Sequence, residues 1–317
     1  MSYEIFNDDC LHWLKKCETN SIHAIVTDPP YGFREFQSRE LKKMVEGSGG
    51  IWRIPPKIGG YERRPLPRFT VLTKDERDFI EEYIYEFAKL AYKVLVPGAH
   101  MFIATNQLVA HNVTNAVLDA GFEIRGIIVR IVKTLRGGFR PKNAEKEFKN
   151  CCTIPRSQWE PWLLFRKPLE GTVAKNLRKF KTGALRRYPD GRPFQDVIIS
   201  ERTPQGEHNI APHPTLKPQS FMRKLVWASL PLGEGIILDP FMGAGSTIAA
   251  ANALGYKSIG IEIKKEYYEL AKVAIPKLSS IKINWWNINS SNHHLSKCLD
   301  ADIRSLNFLV TKKSSRG

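Results

Sequence analysis

The stretch "ILDPFMGAGSTIAAA", residues 237–251, combines an apolar strand, a glycine-containing turn and an alanine-rich helix. The pattern predicts a strand over 235–240 and a helix over 246–254, and a second strand follows over 258–263. A strand, a helix and a strand at this spacing are typical of a parallel sheet. The predicted fold class is therefore α/β, with a doubly wound, mostly parallel sheet whose ligands lie at the carboxyl ends of its strands.

The turn in this stretch is a candidate binding site. Asp239 ends the strand, and Gly243 and Gly245 allow the backbone to approach a ligand closely. Ser246 and Thr247 are predicted to cap the helix, whose N-terminus attracts anionic groups. A GxG turn by itself is an ordinary connection between a strand and a helix, so the assignment depends on the neighbouring residues.

An acid follows the turn at the distance expected of a nucleotide-like site. Glu262 lies in the strand 258–263, about 20 residues after the glycines, where an acid commonly binds ribose hydroxyls. The third glycine of a GxGxxG motif is missing. This departure disfavours a dehydrogenase.

The alternation of strands and helices continues through much of the chain. Strands are predicted over 23–28 and 100–105, and helices over 73–95, from 112 to the residue before Gly121, and from about 218 to 230. Residues 33–70 are rich in glycine, proline and arginine, and they are predicted to form a long mobile loop. The polar residues from about 284 onwards are interpreted as an appendage.

The net charge of +16 over 317 residues indicates a polyanionic partner. Residues 125–192 contain 18 Lys or Arg and only 5 Asp or Glu, and they also contain aromatic residues such as Trp159. Such a mixture suits phosphates and unstacked bases, although a solvated surface has the same composition. We expect clustered charges of this segment, for example Arg178, Lys179 and Lys181, to contact nucleic-acid phosphates.

Several classes of protein are disfavoured. The five cysteines contain no CxxC pair, so neither a disulfide framework nor a metal site is expected. No apolar run approaches the roughly 20 residues of a membrane-spanning helix, and the first residues do not have the pattern of a secretory signal. We expect a cytoplasmic protein with no membrane partner.

Three motifs together resemble a known family: DPPY (28–31), HPTLKP (213–218) and DPFMGAGST (239–247). Their order is similar to that of the β class of DNA methyltransferases, which transfer a methyl group from S-adenosylmethionine to an exocyclic amine. The resemblance covers roughly residues 4–278. It implies a Rossmann-like methyltransferase sheet with an inserted basic region for target recognition, and double-stranded DNA as the substrate.

The resemblance also implies a division of the chain. The expected parts are a catalytic half over 1–124, a basic region for target recognition that includes returning strands over 125–212, a cofactor-binding half over 213–283, and the appendage over 284–317.

The DPPY motif suits methylation of an amine, which is a poor nucleophile because its lone pair is delocalised into the base. The Asp28 carboxylate and the Pro29 carbonyl can both accept hydrogen bonds from one amino group. Pro30 has no N–H to compete for that carbonyl, and Tyr31 offers a ring on which an extruded base can stack. Positioning and oriented dipoles would then supply most of the rate, without a covalent intermediate.

Cofactor contacts are carried over from the family. Asp9 resembles the acid that binds the adenine amine of S-adenosylmethionine, and Glu262 resembles the acid that binds its ribose. Asp8 is an alternative to Asp9, and either acid could instead cap the helix that follows. The remaining expected cofactor residues are Lys217, Pro218, Asp239, Phe241, Gly243, Gly245, Ser246 and Thr247.

The target base is predicted to be adenine, methylated at N6, because an acid in the first position of DPPY is usual among adenine enzymes. N4-methylation of cytosine, methylation of RNA or a protein amide, and a catalytically silent nucleic-acid-binding module remain alternatives. Methylation at carbon 5 of cytosine is disfavoured because no cysteine follows a proline. A partner restriction endonuclease and a homodimer are left open.

Overall fold

The computed structural model describes residues 3–30, 57–58, 61–62, 74–132, 137–141, 143–213 and 215–285. The chain divides into two units, Met1–Lys282 and Ile283–Gly317, and the fold below belongs to the first. Tyr31, most of the predicted loop 33–70 and nearly all of the appendage lie outside the described residues.

Within the described residues, eight strands form one sheet. These strands are β1 (Tyr3–Phe6), β2 (Ile22–Thr27), β5 (Leu95–Ala104), β6 (Glu123–Ile131), β7 (Trp159–Arg166), β8 (Val197–Ile199), β9 (Ile236–Asp239) and β10 (Lys257–Ile261). Two short strands, β3 (Lys57–Ile58) and β4 (Tyr61–Glu62), pair with each other separately.

The sheet has the order β1-β10-β9-β2-β5-β7-β6-β8. All neighbouring pairs are parallel except those that β7 makes with β5 and β6. Seven strands therefore run in one direction and β7 runs in the other. The predicted α/β class with a mostly parallel sheet is confirmed.

Helices connect the strands and cover both faces of the sheet. They are α1 (Cys10–Lys16), α2 (Lys74–Val94), α3 (Ala110–Asp119), α4 (Val173–Phe180), α5 (Gln205–Ile210), α6 (Gln219–Ser229), α7 (Ser246–Ala253) and α8 (Lys265–Ser279). Apolar residues of α1, α2 and α3 belong to the core on one face, and those of α6 and α7 belong to the core on the other.

The central strands are apolar on both sides because each face of the sheet is covered. Successive side chains of a strand point to opposite faces. In β2, Ile25 packs into the core with α2, whereas Ala24 and Val26 pack into the core with α6. In β7, Phe165 packs into the core with α2 and Trp162 packs into the core with α6. Both side chains are fully buried.

The predicted elements agree closely with the observed ones. The strand predicted over 23–28 is Ile22–Thr27, and the helix predicted over 73–95 is Lys74–Val94. That helix ends before Pro97-Gly98 as expected, but the next strand begins at Leu95 and includes both residues. The edge strand β1 was not predicted, and the returning strands of the basic region were expected without bounds; they are β6, β7 and β8.

The direction of β7 decides where the basic region lies. Trp159 pairs with Ile131, at the carboxyl end of β6, so the connection 132–158 starts and ends at the carboxyl edge of the sheet. Arg166 pairs with His100 and Glu123, near the amino edge, so α4 follows β7 at that opposite edge.

Three of the charges that were predicted to contact phosphates lie far from Asp28, and their phosphate contact stays a prediction. Arg178, Lys179 and Lys181 lie in α4 or at its C-cap, and therefore at the edge of the sheet away from Asp28. Since β7 spans seven residue steps at about 3.3 Å each, the two edges are roughly 20 Å apart. The charges that share an edge with Asp28 are instead those of the connection 132–158.

Candidate active site

The end of β2 contacts the end of β9. Thr27, the last residue of β2, donates a hydrogen bond from Oγ1 to Oδ1 of Asp239 at 2.7 Å, and both residues are buried. Asp28 directly follows Thr27 in the chain. The predicted catalytic segment and the predicted cofactor turn therefore begin side by side at the carboxyl edge of the sheet.

Asp239 organises the turn between β9 and α7. Its carboxylate also accepts a hydrogen bond from the backbone N–H of Phe241 at 3.2 Å and interacts with the Thr247 side chain. Burial raises the pKa of Asp239 to about 6, although these hydrogen bonds act in the opposite direction. Asp239 is thus a structural acceptor beneath the turn.

The predicted capping of α7 was wrong. The N-cap residue is Gly245, with φ of 87°, and no side chain caps this helix. Ser246 and Thr247 are already helical, and Thr247 interacts with Asp239 instead. The carbonyl of Ser246 accepts a hydrogen bond from Nε2 of Gln219 at 2.9 Å.

The two glycines of the turn have no room for a side chain. Gly243 and Gly245 both have positive φ, in the left-handed region that favours glycine. A Cβ at Gly245 would lie 2.5 Å from Cγ1 of Ile275, and one at Gly243 would lie 3.2 Å from the His213 ring. The ring of His213 also packs edge-on against Tyr267.

Glu262 connects β10 to this turn. Its carboxylate accepts hydrogen bonds from the backbone N–H of Gly243 at 3.0 Å and of Lys264 at 2.8 Å. Burial raises the pKa of Glu262. The predicted ribose-binding acid therefore lies against the glycine turn, at the carboxyl edge of the sheet.

Asp9 lies in a segment that contacts Glu262. Asn7 donates a hydrogen bond from Nδ2 to the carbonyl oxygen of Glu262 at 2.8 Å. Asp9 is the N-cap of α1, and its Oδ1 accepts a hydrogen bond from the N–H of His12 at 3.0 Å. Asp8 contacts the His12 ring at 2.9 Å. The capping role considered for these acids is thus observed for Asp9, and its cofactor contact stays a prediction.

The Asp28 carboxylate binds the ammonium group of Lys217. Lys217 also contacts Oε1 of Glu160 at 3.1 Å. Lys217 precedes Pro218, the buried N-cap residue of α6, so the HPTLKP segment brings its lysine to the end of β2. The expected contact of Lys217 and Pro218 with the cofactor carboxylate stays a prediction.

Two charged residues of this site were not predicted. Glu160 of β7 accepts a hydrogen bond at Oε2 from a terminal nitrogen of Arg130 of β6 at 2.8 Å, and the two residues are directly opposite in the strand ladder. Their signal in the sequence is a charge within the apolar runs "GIIVRI" and "WEPWLLF". Charged residues that interrupt a buried strand are expected to be paired.

An apolar recess lies beside the residues that follow β2. Pro29, Pro30 and Tyr83 contribute to its wall, together with further residues of α2, α3 and the end of β5. The ring of Phe241 packs near Tyr83, at 6.5 Å between centroids, and edge-on against Phe87 at 5.4 Å. The aromatic residue of the cofactor turn therefore extends from that turn towards the helix that lines the recess.

The structure carries no sign of a metal site or a membrane span where it describes the chain. In the described residues, no group of His, Cys, Asp or Glu is arranged to hold a metal ion. None of the helices in that part of the chain has the length and apolar character needed to cross a bilayer.

The fold is shared with solved DNA methyltransferases. The M1.HpyAVI–SAM complex has a TM-score of 0.51 and 20% identity, with coverage of 85% of this chain and 98% of its own. PvuII DNA methyltransferase, which is cytosine-N4-specific, has a TM-score of 0.58 and 15% identity, with coverage of 97% and 93%.

Sequence comparisons agree with the resemblance found in the motifs. The type II methyltransferase M.HindIII of Haemophilus influenzae is 27% identical over 293 residues, which cover 84% of this chain and 93% of the relative. M2.DpnII of Streptococcus pneumoniae is 25% identical over 269 residues, with coverage of 84% and 87%. The family profile N6_N4_Mtase, described as DNA methylase, matches residues 22–273. The predicted family is confirmed, and the chain belongs to the N6_N4_Mtase family of DNA methylases.

Proposed function

We propose that this protein transfers a methyl group from S-adenosylmethionine to N6 of an adenine in double-stranded DNA. The observation that carries the proposal is the hydrogen bond between Thr27 and Asp239. It joins the strand end that bears Asp28 to the strand end that bears the glycine turn. An acceptor for an amine and a turn suited to a nucleotide-like cofactor therefore lie at one edge of the sheet.

The turn fits S-adenosylmethionine. Gly243 leaves its backbone open to a ligand, and Glu262 lies against it with a carboxylate that can accept hydrogen bonds from ribose hydroxyls. We propose that Asp9, Phe241 and the start of α7 hold the remaining parts of the cofactor. When bound, S-adenosylmethionine supplies an electrophilic methyl group.

The amine is prepared by the protein's own groups. Asp28 and the Pro29 carbonyl accept hydrogen bonds from the two N–H groups of the adenine amine, and this localises the nitrogen lone pair. Pro30 contributes no N–H that could compete for the Pro29 carbonyl. These acceptors are fixed at the end of β2, so the site is organised before the base arrives, which is the main source of rate enhancement.

The adenine must leave the duplex to reach Asp28. The connection 132–158 lies at the same edge of the sheet as Asp28, and its exposed residues include Arg140, Lys146 and Lys149. We propose that these charges bind DNA phosphates around the extruded base. A DNA substrate makes the cytoplasm the proposed place of action.

The identity of the target base, adenine, is the most detailed part of the proposal. It is supported by the acid in the first position of DPPY, where the N4-cytosine enzymes more often have serine. Both bases present a conjugated amine, so the same acceptors could serve either. The identity of the methylated base therefore has to be measured on the product.

The test is methyl transfer from labelled S-adenosylmethionine to duplex DNA of mixed sequence, followed by nucleoside analysis. We expect N6-methyladenine with the wild-type protein, formed about a hundredfold or more slowly with Asp28→Ala. If N4-methylcytosine were the only product, the target base would be cytosine and not adenine. Transfer to RNA or protein in preference to DNA, or no transfer with either nucleic acid, would overturn it.

A further inference from the structure

Four charged side chains form a chain of contacts that leads to Asp28. Arg130 binds Glu160 at 2.8 Å, Glu160 binds Lys217 at 3.1 Å, and Lys217 binds Asp28. The side chains are only 6% exposed for Arg130, 8% for Lys217 and 16% for each acid. The predicted catalytic acid is therefore part of a largely buried ionic network.

These four side chains carry two positive and two negative charges. A buried ion is costly unless it is paired, and removing one partner leaves the other charge uncompensated. The Lys217 ammonium has three N–H donors and lies between two carboxylates. Asp28 and Glu160 therefore share one ammonium group.

The far end of the network is anchored in the fold. Arg130 donates from Nε to Oγ of Ser200 at 3.1 Å and from a terminal nitrogen to the carbonyl of Glu201 at 3.2 Å. Its guanidinium also lies 4.9 Å from the centroid of the Phe221 ring. Glu160 thus has the anchored Arg130 on one side and Lys217 on the other.

We propose that Glu160 is a positioning residue for methyl transfer, acting through Lys217 on Asp28. It holds the ammonium group so that the Asp28 carboxylate keeps acceptor capacity for the amine of the target base. A carboxylate has about four lone-pair positions, so it can bind Lys217 and an amine at once if the ammonium does not move across it. This inference rests on the proposed function.

The strand ladder offers a matched control. Glu123 and Arg166 form a second ion pair between β6 and β7, at 2.6 Å, also directly opposite in the ladder. That pair lies near the amino edge of the sheet, away from Asp28. Glu123→Gln therefore removes the same kind of cross-strand charge without changing the network at the site.

The experiment compares Glu160→Gln, Lys217→Gln, the double variant and Glu123→Gln. Single-turnover methyl transfer is measured together with Kd for DNA, Kd for S-adenosylmethionine and the urea midpoint of unfolding. Glutamine keeps the shape of glutamate and an oxygen acceptor while removing its charge. The unfolding midpoints of the four variants also measure whether Glu160 and Lys217 interact, and this measurement does not depend on activity.

We expect Glu160→Gln to lower the single-turnover rate by about tenfold or more, with either Kd changing by less than about threefold. The double variant should be no slower than Lys217→Gln alone, because Glu160 acts through Lys217, and Glu123→Gln should keep the wild-type rate. The two substitutions should also be non-additive in the unfolding midpoint.

Three outcomes would overturn the inference. The first is a double variant whose loss of rate is the product of the losses in the two single variants. The others are a Glu160→Gln rate within twofold of wild type and a loss in Glu123→Gln equal to that in Glu160→Gln. Additive unfolding midpoints would overturn it even if the wild-type protein were inactive. A wild-type protein without methyl transfer, but with coupled midpoints, would instead reject the proposed function and leave the ionic coupling standing.

Discussion

The fold holds both the backbone and the carboxylate of Asp28. It follows the last residue of a central strand, which fixes its backbone, and its carboxylate is held by Lys217 rather than by bulk water. An acceptor fixed in this way needs little reorganisation when charge develops on an amine. The effect of removing it should therefore appear in the rate of methyl transfer and not in binding.

Asp28→Ala should lower turnover by about a hundredfold or more, equivalent to about 3 kcal/mol, because it removes a preorganised polar group needed in the transition state. DNA affinity should stay the same or increase, since the variant has no carboxylate beside the polyanion. Single-turnover rates and Kd values measure the two effects.

Two further variants make this prediction specific. Asp190→Ala changes an exposed acid that pairs with Arg192 and should keep wild-type turnover. Glu262→Gln should instead weaken binding of S-adenosylmethionine. If Asp28→Ala kept near-normal turnover, the DPPY segment would be only the end of a strand.

Asp239 predicts a dependence of stability on pH. Its pKa is about 6 in the folded protein and about 3.9 in an unfolded chain, so the folded state binds more protons between these values. The contribution of Asp239 to stability is therefore greatest below about pH 4 and is lost as the pH rises through about 6.

Asp239→Asn removes this titration and can keep the acceptor for Thr27 and Phe241. From about pH 4 to about pH 7, the free energy of unfolding of the variant should rise relative to wild type by on the order of 1–3 kcal/mol. Urea unfolding at several pH values measures this difference. A difference that stays constant with pH would show that Asp239 does not titrate in this range.

At the scale of elements, the direction of β7 separates two sets of basic residues. The connection 132–158 reaches from the carboxyl end of β6 to the start of β7, and α4 follows the other end of β7. Both sets are exposed and basic, but only the first shares an edge with Asp28. Composition cannot distinguish them, whereas DNA binding can.

Replacing Arg140, Lys146 and Lys149 by glutamine should reduce the slope of log Kd against log salt by up to about 0.9 for each phosphate that the variant no longer binds. The matched variant replaces three exposed charges of α4: Lys175, Arg178 and Lys179. It has the same change in net charge and should leave the slope nearly unchanged. Equal slopes for the two variants would assign the connection to ordinary solvated surface.

At the scale of the whole molecule, β7 joins the two cores. Leu163 and Phe165 pack with α2, and Trp162 and Leu164 pack with α6. An antiparallel strand in this position brings Glu160 to the carboxyl edge and Arg166 to the amino edge. The strand therefore contributes to stability at its centre and to the site at its start.

Trp162→Ala should lower the free energy of unfolding by about 3–5 kcal/mol, because the side chain is fully buried and leaves a large cavity. Trp159→Ala changes the same residue type on the same strand, but Trp159 is 38% exposed. Trp159→Ala should therefore lower the free energy of unfolding markedly less than Trp162→Ala. Similar losses of urea stability for the two variants would contradict the burial of β7.

Local patterns in the sequence were sufficient for the elements and for the family. The alternation of strands and helices over 235–263 predicted the parallel sheet because periodicity and turn residues act over short distances. The motifs DPPY and DPFMGAGST identified the family because each combines several residue types whose chemistry constrains them together. The positions of Asp28, Asp239 and Glu262 at strand ends followed from these patterns.

The tertiary structure alone decided which charges meet. Asp28 and Lys217 are 189 residues apart in the chain, and Glu160 reaches them only because β7 runs against its neighbours. The same reversal moved Arg178, Lys179 and Lys181 to the far edge. Such contacts depend on the order and direction of strands, which are set by burial across the whole sheet and leave no trace in local periodicity.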